Sequence, residues 1–322
     1  MTTWLVTGGA GYIGNHVTRA LLASGRDVVV VDDLSTGNAA RIPDAAVFVQ
    51  ASVADRDALT NVLTEHQVDG VIHLAAKKAP AASIDTPLHY YRENVGGIIT
   101  LLEAMADAGV RRIVHSSSAA VYGTPVSNPT AESAQIKPES PYGETKVVSE
   151  WVVKAEGIAT GLSWIALRYF NVAGAGSDEL GDTSINNLIP MVFDALERGR
   201  APQIFGDDYP TPDGTAIRDY IHVVDLADAH VAAAAHLEHQ QEAQALNVGR
   251  GVGASVREVM DVISDVIGTD VHPVVVSRRP GDPEDSTAAT ARIHEVLGWQ
   301  AQYDLTAMVA SAWSAWGAQH GR

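Results

Sequence analysis

Residues 4–14 read WLVTGGAGYIG, and residues 27–33 read DVVVVDD. The first stretch is an apolar run that breaks into glycines at Gly8, Gly11 and Gly14 and then resumes with helical spacing. Glycines placed after a strand and at the opening of a helix let the backbone turn tightly and approach a pyrophosphate, whose charge is met by the unpaired N–H groups of the helix start. The spacing is GxxGxxG rather than GxGxxG. The second stretch supplies Asp32, eighteen residues after Gly14, where a carboxylate can accept both hydroxyls of an adenosine ribose. Asp33 follows it. Two carboxylates there would repel a 2′-phosphate, so the pair predicts NAD as cofactor rather than NADP.

Outward from this unit, short Val- and Ile-rich runs recur at Trp4–Thr7, Asp27–Val31, Val47–Gln50, Val68–Ala75, Arg111–Ser117 and Ser163–Tyr169, with a helix-length segment between each pair. Strands buried on both faces by crossover helices have this pattern. The fold class is therefore α/β, a doubly wound parallel sheet of Rossmann type, followed by a smaller C-terminal α/β substrate lobe. After Asn171 the regularity stops, and GAGSDELGDTSINN and FGDDYPTPDGT read as loops. The expected division is a cofactor domain over 1–170, to which 220–249 returns, and a lobe over 171–322. Within the later part, VVDLADAHVAAAAHLEHQQEA and VREVMDVISDVIG read as helices and LNVG as a short strand. Trp313 and Trp316, three apart on the last helix, are expected to pack on the domain.

The 322 residues include 22 Lys+Arg against 39 Asp+Glu, a formal charge of −17, and no cysteine. That charge argues against nucleic acid and acidic membranes as partners. The missing thiols remove cysteine nucleophiles, disulfides and thiolate metal sites. Residues 1–7 run straight into the first strand with no basic region or long apolar stretch ahead, so a cytoplasmic location is expected. His236 and His239 lack an accompanying carboxylate cluster at ligand spacing, and no metal is expected.

In SPYGETK, Ser140 is a helix N-cap and Pro141 the first helical residue, which puts Tyr142 and Lys146 on one face at i and i+4. A phenol is a poor base at neutral pH, but a nearby ammonium and a positive nicotinamide ring favour the phenolate. Ser118, in HSSSAAVYG at the end of the fifth strand, can hydrogen-bond the same substrate hydroxyl.

With TGGAGYIG, HLAAKKA, SSSAAVYG, SPYGETK, RYFNVAG, NNLIP, FGDDYPTPDGTAIRDYIHVVDLA, LNVG and RRPGDP in place, the chain resembles the extended short-chain dehydrogenase/reductase superfamily over essentially its full length. Within it, the run from Phe205 to Asp225 and RRPGDP resemble the UDP-glucose 4-epimerases. The resemblance implies Tyr142 as base, Lys146 as the residue that tunes it and binds the nicotinamide ribose, and Ser118 as a contact to the sugar 4-hydroxyl. Around NAD it implies Gly8, Gly11, Tyr12, Ile13, Gly14, Asp32, Asp33, Leu34, Ser35, Thr36 and Gly37 from the first two strand ends. From later segments it adds Ser52, Val53, Leu74, Ala75, Lys78, Asn94 and Tyr169. Around a UDP-sugar it implies Phe170, Asn171, Asn187, Leu188, Gln203, Phe205, Arg218, Tyr220, Arg279, Asp282 and Ser286. Guanidinium forks at Arg218 and Arg279 suit a diphosphate.

The implied reaction takes hydride from the sugar 4-carbon to bound NAD, giving a 4-keto sugar and NADH, and returns it to the opposite face. Two positions depart from the family pattern. Ser52 stands where an Asp often contacts adenine, and Ser286 is small where residue size near the sugar 2-position governs entry of an N-acetyl group. The dehydratases of the same superfamily place carboxylates after the strand-end Ser or Thr, whereas this chain has Ala119 and Ala120. The nearest rivals in chemistry are these 4,6-dehydratases and the UDP-glucuronate decarboxylases, which share the Tyr/Lys pair. A UDP-glucuronate 4-epimerase is the harder alternative to dismiss, since only sugar-pocket residues separate it, and a non-catalytic NAD sensor is a distant one, since Ser118, Tyr142 and Lys146 are all present. A homodimer through Glu93–Gly109 and Tyr142–Glu156 is expected from the resemblance alone.

Overall fold

In the strand Asp27–Asp32, Val28 and Val30 face one side of a sheet and Val29 and Val31 the other, and all four are buried. A strand apolar on both faces must be covered on both. The computed structural model, which describes residues 2–279 and 281–321, has that arrangement. Its strands are β1 (Thr3–Thr7), β2 (Asp27–Asp32), β3 (Val47–Gln50), β4 (Gly70–His73), β5 (Arg112–Ser118) and β6 (Ser163–Tyr169). They continue as β7 (Asn171–Ala173), β8 (Gln203–Phe205), β9 (Ile217–His222), β10 (Ala243–Val248), β11 (Gly253–Ser255), β12 (Val274–Val276) and β13 (Asp285–Ser286). The helices are α1 (Tyr12–Ala23), α2 (Arg56–Glu65), α3 (Pro80–Asp85), α4 (Pro87–Tyr90), α5 (Gly97–Ala108) and α6 (Pro141–Thr160). After them come α7 (Leu188–Glu197), α8 (Val223–His239), α9 (Val256–Ile267), α10 (Ala291–Leu297) and α11 (Leu305–Gln319).

The main sheet has seven strands in the order β10-β6-β5-β4-β1-β2-β3, all parallel. All six expected strands are in it. The run Val68–Ala75 contributes only Gly70–His73, because Leu74 and Ala75 already leave the ladder, and the fifth strand ends on Ser118 rather than Ser117. On one face, Val17 and Leu21 of α1 meet Leu226, Ala229 and Ala233 of α8 over Trp4, Val6 and Val30. On the other, Leu59 and Leu63 of α2, Leu101 and Met105 of α5 and Val153 of α6 cover Leu5, Val29 and Val71. Each fully buried Val, Leu or Met among these contributes roughly 1.5–3 kcal/mol by leaving water.

After β6 the chain leaves the sheet and comes back for α8 and β10, which pairs with β6 along its whole length. The excursion and the C-terminal third build a second, smaller core from Ile189, Phe193, Met260, Ile263, Met308 and Trp316. There β9 is the centre of a small mixed sheet with β7, β11 and β13, and β8 pairs with β12. Trp313 and Trp316 pack against Phe193 with ring centroids 5.0 and 5.8 Å away. Among the described residues no helix is long and apolar enough to cross a membrane.

Candidate active site

The C-terminal ends of β1, β2, β4 and β5 open onto one edge of the sheet, where ligands of doubly wound folds bind. Gly8 has φ +74°, and a Cβ on it would stand 2.8 Å from the Ala75 nitrogen. On Gly14, a Cβ would overlap the Gly8 carbonyl. The turn therefore requires glycine at both positions. Gly11 is the N-cap of α1, and no side chain caps that helix. Its first N–H groups are left to face the turn, where a pyrophosphate's charge is favoured. An uncapped helix start behind a turn that only glycine can make fits a dinucleotide.

Asp32 closes β2 and splices the turn to the next loop. Its carboxylate accepts the N–H of Ala10 at 3.0 Å and of Leu34 at 2.8 Å, and the second bond holds Leu34 at φ +60°. Burial raises the Asp32 pKa against the pull of these bonds. A carboxylate offers about four acceptor sites, so two remain for ribose hydroxyls. Gly37 passes so close that a Cβ would come within 2.9 Å of Asp32 Oδ1. Asp33, Ser35 and Thr36 are exposed beyond it, with the Asp33 carboxylate accepting the Ser35 N–H at 2.8 Å. Tyr12 and Ile13 open α1, and the Tyr12 hydroxyl donates to the Gly174 carbonyl at 2.6 Å.

The Ser52 hydroxyl accepts the Ala54 N–H at 3.1 Å, so it shapes a turn at the position from which the resemblance implies an adenine contact. Val53 beside it packs against Gly97. Leu74 and Ala75 extend from β4 toward Lys77 and Lys78. Lys77 Nζ donates to Ser35 at 3.1 Å, and Lys78 Nζ donates to Ser184 at 3.3 Å with Asp182 3.9 Å away. Asn94 sits under them, in a π-helical turn, Tyr91–Gly96, that joins α4 to α5. Its amide oxygen accepts the Lys77 N–H at 2.8 Å, and its amide nitrogen donates to the Lys77 carbonyl at 3.1 Å and to the Thr145 hydroxyl at 2.9 Å. Both amide protons are thereby committed to the scaffold.

Ser118 ends β5, and Tyr142 and Lys146 stand on α6 behind the N-cap Ser140, whose hydroxyl accepts the Gly143 N–H at 3.1 Å. Tyr142 and Lys146 are buried, and Tyr169 at the end of β6 is partly buried. Lys146 Nζ donates to the Ser116 carbonyl at 2.9 Å and lies 5.9 Å from the Tyr142 ring centre. Burial lowers the Lys146 pKa to about 8. Burial also raises that of Tyr142, while a hydrogen bond with Ser118 works the other way. The expected depression of the phenol is thus absent in the protein alone. Desolvation outweighs every stabilising contact the chain provides.

In the small sheet around β9, Arg218 donates to Asp282 at 2.5 Å and to the Ile217 carbonyl at 2.6 Å. The Arg279 guanidinium covers the Phe205 ring at 3.7 Å. Asn171 and Tyr220 are register partners on β7 and β9, and their side chains hydrogen-bond. Burial pushes the Tyr220 pKa to about 12. Asn187 donates to Asp182 at 3.2 Å at the head of α7, where Leu188 is the first residue, and Gln203 opens β8. Ser286 pairs with Arg218 in parallel register. Phe170 packs with Val121, Tyr122, Val147 and Ala288.

Three groups that matter here are not singled out by the sequence. Ser83 of α3 accepts the Tyr142 N–H at 3.1 Å. Glu150, one turn past Lys146, is gripped by Arg168 through bonds of 2.9 and 2.6 Å and by Ser117 at 2.5 Å. Asp219, between Arg218 and Tyr220, accepts three backbone N–H groups. The RDY triplet at 218–220 was the available signal for the last of these.

A glycine-turn cradle joined to Ser, Tyr and Lys at the C-terminal edge of a parallel sheet defines the short-chain dehydrogenase/reductase class. The NAD dependent epimerase/dehydratase family model matches residues 4–249. The chain is 46% identical to the UDP-glucose 4-epimerase of Azospirillum brasilense over 96% of this chain and 90% of that protein. It is 41% identical to the one from Lacticaseibacillus casei over 99% and 97%. The crystal structure of the UDP-glucose-4-epimerase from Stenotrophomonas maltophila, with bound NAD and formylated UDP-arabinopyranose, superimposes with a TM-score of 0.95 at 41% identity over all of both chains. The chain belongs to the NAD dependent epimerase/dehydratase family and, within it, to the UDP-glucose 4-epimerases.

Proposed function

We propose that the protein interconverts UDP-galactose and UDP-glucose through a transient 4-keto sugar. The observation that supports this reading is the buried Tyr142–Lys146 pair, with Lys146 Nζ 5.9 Å from the Tyr142 ring centre and Ser118 hydrogen-bonded to the phenol, in a chain whose Ser286 is held in register with Arg218. NAD, when bound, supplies the hydride acceptor and then the hydride donor. It would be held by Gly8, Gly11, Tyr12, Ile13, Gly14, Asp32, Asp33, Leu34, Ser35, Thr36 and Gly37, with Ser52, Val53, Leu74, Ala75, Lys78, Asn94 and Tyr169 completing the contacts.

In this reading Tyr142 takes the proton of the sugar 4-hydroxyl and later returns it, and Ser118 orients that hydroxyl. Lys146 keeps a positive charge near the phenol and binds the nicotinamide ribose. Arg218 and Arg279 grip the diphosphate. Phe170, Asn171, Asn187, Leu188, Gln203, Phe205, Tyr220 and Asp282 hold the rest of the nucleotide. The sugar is held loosely enough to turn, so that its other face is presented before reduction. Ala119 and Ala120 follow Ser118 on a short helical turn, Ala119–Val121, and neither can act as the acid or base that an elimination needs.

The small Ser286 side chain supports acceptance of UDP-N-acetyl sugars as well. The domain division proposed is 1–170 with 220–249 for the cofactor and 171–322 for the UDP-sugar, and the location proposed is cytoplasmic. A homodimer through Glu93–Gly109 and Tyr142–Glu156 is supported by the apolar side chains left open there, with Ile99 40% and Trp151 62% exposed, and by Ile158, just beyond the second segment on α6, 79% exposed.

The test is incubation of the purified protein, without added cofactor, with UDP-galactose and separately with UDP-N-acetylgalactosamine, following the gluco-configured products by chromatography. Conversion of UDP-galactose is expected, and conversion of both is the outcome tied to Ser286. If neither reacts even with NAD supplied, the reading fails at the sugar, and UDP-glucuronate becomes the substrate to try.

A further inference from the structure

Asp219 lies on β9 between Arg218 and Tyr220, and its side chain is wholly buried. Its Oδ1 accepts the N–H of Arg250 at 2.8 Å, and its Oδ2 accepts those of Gly251 at 2.9 Å and Ala288 at 3.1 Å. The chain passes so near that a Cβ on Gly249 would lie 2.6 Å from Oδ2. One carboxylate thus gathers two segments, 249–251 and 285–289, onto β9.

The second of these segments is held from other sides too. Asn128 Nδ2 donates to the Asp285 carbonyl at 3.0 Å, and Asn128 Oδ1 accepts the Thr287 N–H at 3.2 Å. Thr130 donates its N–H to the Thr287 carbonyl at 2.7 Å and accepts the Ala289 N–H at 2.9 Å. Regular structure here amounts to two residues, β13, whose Ser286 pairs with Arg218. Such a short strand has little cooperative strength of its own. Its place is set by Asp219, Asn128 and Thr130.

We propose that Asp219 is a positioning residue for UDP-sugar binding. By collecting these three N–H groups it fixes the wall that carries Ser286 against the strand that carries Arg218. It thereby sets the spacing between the diphosphate contact and the sugar contact. This rests on the UDP-sugar reading of the site.

Asp219→Asn in the full-length protein tests it, because an amide has one acceptor oxygen where two are used and turns its N–H groups toward backbone donors. UDP affinity by calorimetry, KM and kcat with UDP-galactose, NAD content and melting temperature at pH 7.5 are compared with wild type. The expected result is a UDP Kd and a KM raised about tenfold, with kcat within about threefold of wild type and NAD content unchanged, while the melting temperature falls by the few degrees that an amide facing buried backbone donors costs. A merely structural role would lower kcat and NAD content along with the melting temperature and leave the UDP Kd of the folded protein unchanged, and that result overturns the proposal.

Asn128→Ala, on an exposed loop, loosens the same wall without touching the core and decides the matter if Asp219→Asn does not fold. It should weaken UDP binding in the same direction, by about threefold. UDP affinities within about twofold of wild type in every folded variant would also overturn it. Because UDP binding is read separately from turnover, a wild type that binds UDP but does not convert UDP-galactose would sink the proposed function and leave this inference still decided.

Discussion

The Lys146 ammonium donates to the Ser116 carbonyl at 2.9 Å while standing 5.9 Å from the centre of the Tyr142 ring. It is therefore a fixed charge near the phenol and not a mobile surface lysine. Burial lowers the Lys146 pKa to about 8 and raises that of Tyr142. At pH 7 the lysine is mostly charged and the tyrosine protonated, so the protein alone holds the pair in its resting protonation state. A positive nicotinamide ring held near Tyr142 would add a charge that favours the phenolate.

Tyr142→Phe removes the hydroxyl proposed as the proton acceptor and leaves the ring packed in place. The variant should keep its NAD and its fold and lose about a thousandfold or more in kcat. Cofactor content and turnover, measured on one preparation, check this. Near-wild-type activity would show that another base acts.

Ser286→Tyr should separate the two sugar classes. A bulky ring beside Arg218 is expected to leave UDP-galactose turnover within a few-fold of wild type and to cut kcat/KM for UDP-N-acetylgalactosamine by about 10–100-fold. Parallel assays of both substrates read the ratio. A wild type inert toward the N-acetylated sugar would remove the premise.

Glu150→Gln breaks a buried ion pair whose partners expose about a tenth of their side chains or less. Arg168 would keep its charge and lose its counter-ion. Removing one partner of such a pair costs about 3–5 kcal/mol, which denaturant unfolding of the dinucleotide-loaded protein would register.

Asp219 gives a pH signature with an unusual sign. Its carboxyl is raised by burial from 3.8 to about 6 in the fold. Between those values the folded state binds more protons than the unfolded one, so this group's stabilising contribution is present below about 4 and is lost as pH rises through about 6. Asp219→Asn, always neutral, should therefore gain stability relative to wild type on going from pH 4.5 to pH 7.5, by an amount on the order of 2 kcal/mol. Unfolding curves for both proteins at the two pH values measure the difference. A constant difference would show that the carboxyl is not raised.

Trp151→Arg with Ile158→Arg places two charges on the exposed apolar stripe of α6. Light scattering should report a dimer for wild type and a monomer for the double variant, with far-ultraviolet dichroism unchanged. A wild-type monomer would refute the dimer outright.

The sheet was legible because DVVVVD carries apolar residues on both faces, and the glycine turn because its spacing follows directly from a backbone that cannot accept a Cβ at Gly8 or Gly14. The small sheet around β9 was not. Its strands run two to six residues, and their partners come from four separate stretches of chain, so no local periodicity announces them. In the same way the π-helical turn Tyr91–Gly96 leaves no mark in YYRENVGG, since one extra residue per turn barely disturbs the pattern. Resemblance located Asn94, yet only its three hydrogen bonds show that it braces Lys77 against Thr145. Asp219 escaped because its neighbours Arg218 and Tyr220 carry the obvious chemistry.

The late arrival of β10 governs the order in which the molecule can be finished. Six strands of the main sheet have been made by residue 169, but β6 keeps an open hydrogen-bonding edge until Val248 is in place. A nascent chain leaving the ribosome must therefore emit more than three quarters of its 322 residues before that edge closes, and α8, which seals Val17 and Leu21, comes out only just ahead. An exposed parallel edge is an invitation to pair wrongly. A chain terminated between β6 and α8 would keep that edge unpaired and α1 without its cover, a fragment expected to associate through β6.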